Sequence, residues 1–320
     1  MIIITGAGGF IGSCLVGYFN TMGHKDLILV DEANKKYHAV LDGKEYLQYI
    51  DRDGFSEWLQ QTEDNISFVV HIGARTDTME YDENIFEKLN ISFTKKLWEV
   101  CVHKNIPIIY ASSAATYGDG THGYSDHHDL IPKLEPLNPY AWSKQIVDEW
   151  ILRQVQFPPY WIGLKFFNVF GPNEYHKNKM ASVIYHGYNQ IKNTGKIRLF
   201  KSNDSNISDG EQKRDFIYVK EIVETIYTLY KNRIQSGIYN LGTGTAHSFN
   251  QLAKGIFEAL GMETNIEYMD MPDHLMKSYQ NFTEADMNKL RHAIHYRSDW
   301  TFQRAISDYV NNYLDVSKYF

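Results

Sequence analysis

The stretch Thr5-Gly6-Ala7-Gly8-Gly9-Phe10-Ile11-Gly12 follows a short apolar run and precedes a helical pattern that extends to residue 22. Glycine permits a tight turn and lets backbone amides approach a phosphate closely, and a helix N-terminus favours negative charge. Asp31 ends the next apolar run, about 20 residues further on, where an acidic residue commonly binds a ribose hydroxyl. This order of strand, glycine loop, helix, strand and acid predicts a dinucleotide site.

Apolar runs and helical patterns alternate through the first half of the chain. Buried parallel strands are predicted at residues 2–5, 27–30, 68–71, 108–111 and 162–166, with helices at 11–22 and 85–104. The predicted class is α/β, a Rossmann-type doubly wound parallel sheet with a smaller, discontinuous C-terminal α/β substrate domain. We expect residues 1–167 and about 215–242 to form the dinucleotide-binding domain, because 238–241 would return to the main sheet. About 168–214 and 243–320 would form the substrate domain.

The composition of the chain limits the kinds of partner that the protein is expected to bind. The 320 residues include 39 acids and 32 lysines and arginines, a formal charge of -7, which disfavours nucleic-acid binding. No apolar run approaches the roughly 18 to 20 residues of a membrane span, and no export signal is recognisable, so we expect a cytoplasmic protein without a membrane partner. Cys14 and Cys101 lie in apolar stretches and predict buried free thiols. Residues 176–214 include eight lysines and arginines but only three acids, and this local excess of positive charge predicts a basic site suited to a diphosphate.

A second motif combines a phenol, an ammonium and a hydroxyl. Tyr140 and Lys144 are four residues apart in Tyr140-Ala141-Trp142-Ser143-Lys144, so on a helix they share a face. A cation so close is expected to lower the pKa of the phenol from about 10 toward the range of acid/base catalysis. Ser113 follows the fourth predicted strand, where ligands of open α/β sheets bind. We predict that Ser113 hydrogen-bonds the reacting oxygen, with Ser112 and Thr116 as the alternatives.

A serine, tyrosine and lysine behind a dinucleotide loop resemble the extended short-chain dehydrogenase/reductase family. Further stretches narrow the resemblance: Ala111-Ser112-Ser113-Ala114-Ala115-Thr116-Tyr117-Gly118, Phe167-Asn168-Val169-Phe170-Gly171-Pro172, His176-Lys177-Asn178-Lys179-Met180-Ala181-Ser182 and Lys213-Arg214-Asp215-Phe216. Together and in this order they resemble the ADP-L-glycero-D-manno-heptose 6-epimerase family, from Ile2 to about residue 315.

This resemblance implies an isomerase. Members oxidise C6″ of ADP-D-glycero-β-D-manno-heptose with bound NADP, one per subunit, and return the hydride to the opposite face, giving ADP-L-glycero-β-D-manno-heptose for the lipopolysaccharide core. They assemble as homo-oligomers, pentameric as a rule, and the reaction needs no metal. Two acid/base groups, one on each face, match Tyr140 and Lys177. A phosphate clamp remains the alternative role for Lys177, and Lys179 could compete for the acid/base role.

The motifs and the resemblance together predict the binding residues. The cofactor contacts would be Gly6, Gly9, Phe10, Ile11, Gly12, Asp31, Glu32, Lys36, Arg52, Ile72, Gly73, Ala74, Arg75, Thr76, Asn90, Tyr140, Lys144, Val169 and Lys177. The substrate contacts would be Ser113, Asn168, Lys179, His186, Phe200, Lys201, Ser202, Asn203, Arg214 and Tyr279. Arg214 offers bidentate hydrogen bonds to a diphosphate. Lys179, where the family usually has a small hydroxyl residue, and a longer loop at 201–213 depart from the family pattern.

Several alternatives stay open at this stage. Asp31 and Glu32 argue for NAD, whereas Lys35, Lys36 and Arg52 could neutralise the 2′-phosphate of NADP, which the resemblance favours. A UDP-hexose 4-epimerase or another sugar-nucleotide reductase would use the same three residues, and a non-catalytic dinucleotide sensor would usually have lost the tyrosine or the lysine.

One group of side chains has the residue types of a metal site. His122 and Asp126-His127-His128-Asp129 lack a helical histidine pair and precede Pro132 and Pro136. They therefore predict a solvated loop and no metal.

Overall fold

The computed structural model describes residues 1–272, 276, 279–295 and 298–320, except for the side chain at position 37. The strands in chain order are β1 (Ile2–Thr5), β2 (Leu27–Asp31), β3 (Gln48–Asp51), β4 (Phe68–His71), β5 (Ile108–Ser113), β6 (Trp161–Phe166), β7 (Asn168–Phe170), β8 (Ile197–Phe200), β9 (Lys213–Arg214), β10 (Phe216–Tyr218), β11 (Gly237–Leu241), β12 (His247–Ser248) and β13 (Ile266–Met269).

The helices fill the connections between these strands. They are α1 (Phe10–Thr21), α2 (Arg52–Gln61), α3 (Glu83–Phe86), α4 (Phe93–His103), α5 (Pro139–Leu152), α6 (Val183–Thr194), α7 (Val219–Lys231), α8 (Phe249–Ala259), α9 (Asn288–Ile294) and α10 (Phe302–Tyr309). Short 3₁₀ segments include Ala33–Tyr37, Ala114–Tyr117, His128–Lys133 and Tyr175–Met180. In the part of the chain that is described, no helix is both long and apolar enough to cross a bilayer.

The main sheet is parallel and has seven strands in the order β11-β6-β5-β4-β1-β2-β3. Chain order reverses between β1 and β4, and in open α/β sheets ligands bind at such a reversal, outside the carboxyl ends of the strands. The glycine loop follows β1 and therefore lies at this crevice. The predicted Rossmann-type class is confirmed, as is the return of residues 238–241 to the main sheet.

Helices cover the sheet on both faces because its strands are apolar on both. Ile2 and Ile4 of β1 pack into one buried apolar cluster and Ile3 into the other, as the two-residue period of a strand requires. α1 and α7 contribute to the first cluster, and α2, α4 and α5 to the second. This packing fixes the strand ends from which the site is built.

Two elements differ from the prediction. The edge strand β3 was missed because it is half-exposed and polar, so it has no apolar run. The helix predicted at 85–104 is interrupted by a π-helical segment, Glu87–Ser92, between α3 and α4. In the C-terminal half, three small sheets pair β7 with β10, β8 with β13 and β9 with β12. The domain boundaries given above stay a prediction.

Candidate active site

The glycine loop adopts the close-packed turn that its sequence predicts. Gly6 has φ +69°, and a Cβ on it would lie 2.6 Å from Gly73 Cα, so an L side chain is excluded twice over. A Cβ on Gly12 would overlap the carbonyl oxygen of Gly6. The loop is thereby held against the strand end at β4.

The N-terminus of α1 is left open toward the crevice. Gly9 is its N-cap residue, and no side chain caps the first turn. The amides of that turn are therefore donors without a helical partner, at the positive end of the helix dipole. This arrangement fits a dinucleotide pyrophosphate, which would lie against Phe10 and Ile11 at the start of the helix.

The acidic residues after β2 are already paired within the protein. Asp31 is buried, and its carboxylate accepts hydrogen bonds from Gly8 N at 3.0 Å, Glu32 N at 2.8 Å and Lys35 Nζ at 3.1 Å. Glu32 forms an ion pair with Arg52 at 3.0 Å. Lys36 lies exposed on the segment Ala33–Tyr37. Each carboxylate thus has a basic partner, which sequence reasoning did not anticipate.

Asn90 organises the strand end that follows β4. It is 1% exposed, accepts from Arg75 N at 2.8 Å and donates to Arg75 O at 2.9 Å and to Ser143 Oγ at 2.9 Å. Gly73 N donates to Thr5 Oγ1 at 3.1 Å. Asn90 therefore links the loop of residues 72–76 to α5. Val169, another predicted cofactor contact, lies half-buried on β7.

Ser113, Tyr140 and Lys144 meet at the carboxyl end of β5. α5 begins after Asn138, whose side chain accepts from Ala141 N, and Pro139 occupies its first turn. The Ser113 side chain lies close enough to the phenol of Tyr140 to lower its pKa. Lys144 is 5% exposed, and its Nζ donates to Ala111 O at 2.8 Å. The structure therefore brings together the three side chains that the sequence selected.

The direction predicted for the pKa of Tyr140 was wrong for this structure. Burial raises the pKa of Tyr140, and the nearby Ser113 side chain offsets this rise only in part. Burial lowers the pKa of Lys144 to about 8, against an opposing effect of Asp148. Helical spacing gives the shared face but not the desolvation, and the ammonium of Lys144 is bound to a backbone carbonyl instead of the phenol.

The three hydroxyls considered after β5 have different surroundings. Ser112 Oγ donates to Asp148 Oδ2 at 2.6 Å. Thr116 Oγ1 donates to Ser113 O at 2.8 Å and accepts from Lys165 Nζ at 2.7 Å. Ser113 Oγ accepts from Ala115 N at 3.1 Å and is the hydroxyl that contacts Tyr140. The hydroxyls of Ser112 and Thr116 are thus already hydrogen-bonded to other buried groups. This favours Ser113 as the hydroxyl that hydrogen-bonds the reacting oxygen.

Lys177 and Lys179 lie in different environments although they are two residues apart. Lys177 is half-buried, with Nζ 5.5 Å from the centre of the Phe10 ring, and burial lowers its pKa while Glu174 raises it. Asn178 between them has φ 49° and ψ -125°, a conformation that is strained for a residue with a side chain. Lys179 lines a cavity. The turn at Asn178 separates the two ammonium groups.

That cavity has a volume of about 740 Å³ and lies among the small C-terminal sheets. Its described lining is Lys179, Val183, His186, Gln190, Thr194, Lys196, Arg198, Leu199, Phe200, Gln212, Phe249, Met269, Pro272 and Tyr279. The predicted substrate residues Lys179, His186, Phe200 and Tyr279 are therefore brought together. Lys196 and Arg198 were missed, and both are paired with Glu267 at 2.8 and 3.1 Å.

The other predicted substrate residues lie outside this lining. Arg214 is 7% exposed and contacts two rings of the lining, with its guanidinium 5.1 Å from the centre of the Tyr279 ring and 5.7 Å from that of Phe249. Lys201 pairs with Asp270 at 2.9 Å. Ser202 is bonded within its own turn, Asn203 donates to Met276 O at 3.4 Å, and Asn168 is exposed on β7.

The segment that directly follows Tyr279 of the cavity lining is bonded to the loop that follows Ser113. The Gln280 side chain donates to Gly118 O, and Tyr124 OH donates to Phe282 O. The two parts of the candidate site are therefore mechanically connected.

The solvated loop predicted around Asp126 and His128 was wrong for these two residues. Asp126 is 2% exposed and accepts from Asn240 N at 2.8 Å, and His128 Nε2 accepts from Ile238 N at 3.1 Å. Burial, followed by Lys289, lowers the pKa of His128 to about 4. Both side chains thus satisfy backbone amides of β11, a contact over more than 100 residues. Among the described residues, no three His, Cys, Asp or Glu side chains form a group that could hold a metal.

A glycine loop at the reversal of a parallel sheet, with serine, tyrosine and lysine at a nearby strand end, defines a dinucleotide-dependent enzyme of the Rossmann type. The model of the NAD dependent epimerase/dehydratase family matches residues 2–242, and the chain belongs to this family. A nicotinamide dinucleotide is therefore the class of its cofactor.

The resemblance to one group within this family is confirmed by individual relatives. The chain is 45% identical to the ADP-L-glycero-D-manno-heptose-6-epimerase of Fusobacterium nucleatum, over 98% of both chains. It is 41% identical to the protein of that name from Nitratidesulfovibrio vulgaris, again over 98% of both chains. The crystal structure of the Helicobacter pylori ADP-L-glycero-D-manno-heptose-6-epimerase superposes with a TM-score of 0.80 at 25% identity, covering 97% of this chain and 95% of that one.

Proposed function

We propose that the protein interconverts ADP-D-glycero-β-D-manno-heptose and ADP-L-glycero-β-D-manno-heptose. The observation that carries the proposal is the cluster of Ser113, Tyr140 and Lys144 at the end of β5, in a chain whose relatives bear this activity in their names. The glycine loop and the N-terminus of α1 would hold the dinucleotide, which would supply reversible hydride transfer at C6″ from either face of the sugar. A net redox-neutral cycle of this kind needs no second substrate.

The chain's own residues would supply binding and proton transfer. Tyr140 would remove the hydroxyl proton on one face while Ser113 hydrogen-bonds the same oxygen, and Lys144 would orient the phenol and the cofactor. Lys177 would exchange the proton on the other face, because its half-buried ammonium has a lowered pKa and loses its proton more readily near neutrality. The cavity lined by Lys179, His186, Phe200 and Tyr279 would hold the nucleotide and its diphosphate.

Incubation with nucleotide sugars tests this proposal. We expect the purified protein to convert ADP-D-glycero-β-D-manno-heptose into its C6″ epimer, followed by NMR or chromatography, without net change in nicotinamide absorbance. UDP-glucose and UDP-galactose serve as matched substrates for the alternative 4-epimerase. Conversion of the UDP-hexoses but not of the heptose would overturn the proposed substrate, and binding of a dinucleotide without any turnover would favour a sensor.

We further infer that the bound dinucleotide is NADP. Asp31 and Glu32 would repel a 2′-phosphate, but Lys35 and Arg52 neutralise them at 3.1 and 3.0 Å. The Asp31 carboxylate, moreover, already accepts three hydrogen bonds, so one of its roughly four acceptor sites is left for a ribose hydroxyl. Lys36 adds an exposed charge beside them. These pairings weaken the argument for NAD that the two acids alone would make.

The nucleotide that is released on denaturation distinguishes the two cofactors. We expect mass spectrometry of the released material to show NADP, in about one copy per chain if the cofactor stays bound through the cycle. Recovery of NAD alone would contradict the inference and return Asp31 to the role of a ribose ligand.

The proposal also covers location and assembly. We propose that the protein is a cytoplasmic homo-oligomer, pentameric as in its family, and that it serves lipopolysaccharide synthesis.

A further inference from the structure

A buried ion pair lies beneath the proposed catalytic residues. Lys165 of β6 and Asp148 of α5 are both 0% exposed, and Lys165 Nζ is 2.7 Å from Asp148 Oδ2. β6 is otherwise a run of apolar residues and glycine. Because desolvation offsets the attraction of such pairs, they add little net stability compared with apolar residues of the same size. A role other than stability is therefore the more informative explanation.

The pair is the centre of a group of connected, buried hydrogen bonds, which we call the Asp148 network. Asp148 Oδ2 also accepts from Ser112 Oγ at 2.6 Å, and Oδ1 accepts from Tyr110 OH at 3.0 Å. Lys165 Nζ donates to Thr116 Oγ1 at 2.7 Å, and that hydroxyl donates to Ser113 O at 2.8 Å. These five residues, Tyr110, Ser112, Thr116, Asp148 and Lys165, are all at most 2% exposed.

The network joins the elements that carry the proposed chemistry. Asp148 follows Lys144 by four residues and Tyr140 by eight, so all three lie along one face of α5. Ser112 and Lys165 are paired across β5 and β6, and Ser113 is the next residue of β5. The helix that bears the phenol is thus bonded to the strand and turn that bear the hydroxyl.

We propose that Asp148 and Lys165 are positioning residues, which fix α5 against β5 so that Tyr140 and Lys144 converge with Ser113 on the reacting oxygen. This inference rests on the proposed function of the site. Both side chains are fully buried and act through their neighbours, not on the substrate. A misplacement of about 1 Å in catalytic groups can cost on the order of 100-fold in rate.

The electrostatic surroundings of Lys144 give the network a second effect. Lys144 faces Asp148 on its own helix, the Ala111 carbonyl on β5 and His71 on β4, whose burial lowers its pKa to about 3 and keeps it neutral. Asp148 also faces Tyr110, Tyr117, His128 and Lys165. Asp148 is the one described anion that raises the pKa of Lys144, so it helps to keep that ammonium charged.

Variants of Lys165 in the full-length holoprotein test the positioning role. We expect Lys165→Met to lower kcat on ADP-heptose roughly 100-fold with little change in KM. Lys165→Arg should restore most of the rate, because it keeps the charge and the donors. The matched control is Arg153→Met, which removes an ion pair with Glu149 at the solvent-exposed C-terminal end of α5 and should leave kcat unchanged. A folded Lys165→Met protein with the kcat of the wild type would overturn the proposal, as would a change in KM alone.

If Lys165→Met does not fold, two less disruptive variants, Thr116→Val and Asp148→Asn, test the same positioning role. Thr116→Val removes one link without leaving a charge unpaired, and we expect a lower kcat from it too. Asp148→Asn removes the anion, so the pKa of Lys144 should fall. If catalysis needs the charged ammonium, the alkaline limb of the kcat profile should move to lower pH. An unmoved limb together with wild-type kcat in Thr116→Val would refute the positioning role.

Failure of the proposed function has a different signature. If the wild-type holoprotein leaves ADP-heptose unchanged, the substrate assignment fails, and the network is then judged from crystal structures of the wild type and Thr116→Val. We expect the distance between the Ser113 and Tyr140 hydroxyls to increase in the variant. An unchanged distance would overturn the positioning role independently of any activity.

Discussion

Replacement of Tyr140 by phenylalanine is expected to lower epimerisation of ADP-heptose by a factor of roughly 10² to 10⁴, the usual contribution of a general acid/base group. The phenol is the titratable group that Ser113 contacts at the end of β5, and phenylalanine keeps the ring while removing the proton. Steady-state kcat with ADP-D-glycero-β-D-manno-heptose is the measurement. The centre of the Tyr140 ring lies 6.4 Å from the centre of the Phe86 ring, and the variant should keep this contact.

Cofactor content separates lost chemistry from lost structure in this variant. We expect Tyr140→Phe to retain its bound dinucleotide, because the glycine loop and the N-terminus of α1 are untouched. Tyr81→Phe is the matched control, since Tyr81 is 70% exposed and its variant should keep the wild-type rate. A Tyr140→Phe enzyme close to wild type in kcat would show that another group transfers the proton.

Replacement of Lys177 by methionine is expected to lower kcat by a factor of roughly 10² or more while ADP-heptose still binds. Lys177 is half-buried beside Phe10, and burial lowers its pKa, so the neutral amine is more populated near pH 7 than in an exposed lysine. Both directions of epimerisation should suffer, because each uses proton transfer on both faces. Initial rates from either epimer measure this effect.

Lys179→Met is the matched control for that experiment. Lys179 lines the cavity, so its loss should weaken substrate binding and raise KM with little effect on kcat. A rise in KM alone for Lys177→Met would make Lys177 a phosphate clamp. A loss of kcat confined to Lys179→Met would exchange the roles of the two lysines.

Short-range signals predicted the parts of this protein that depend on neighbouring residues. The glycine loop could be recognised because its turn and its helix start are encoded within eight residues. Tyr140 and Lys144 could be placed on one face because the helical period is fixed. Ser113 could be placed at a strand end, and hence at the crevice, from the apolar run before it.

Other parts depend on burial and on partners distant in the chain. The spacing of Tyr140 and Lys144 predicted a lowered phenol pKa, but desolvation raises it. The sequence predicted solvated side chains for Asp126 and His128, but both accept hydrogen bonds from backbone amides of β11. Arg214 is the predicted diphosphate ligand, and its contact with the ring of Tyr279, 65 residues further on, could not be foreseen from spacing. A lysine inside the apolar run of β6 was the one available sign of the Asp148 network, and it was missed.

The amino-acid sequence was therefore sufficient for the class of fold, the dinucleotide loop, the three side chains at the end of β5 and the family. These follow from periodicity, glycine conformation and ordered motifs, which act over a few residues at a time. The folded chain alone reveals which acids are already paired, which hydroxyl meets the phenol, where Lys177 and Lys179 separate and what holds α5 against β5. Those features arise from desolvation and from contacts across strands and helices, and neither is encoded in local spacing.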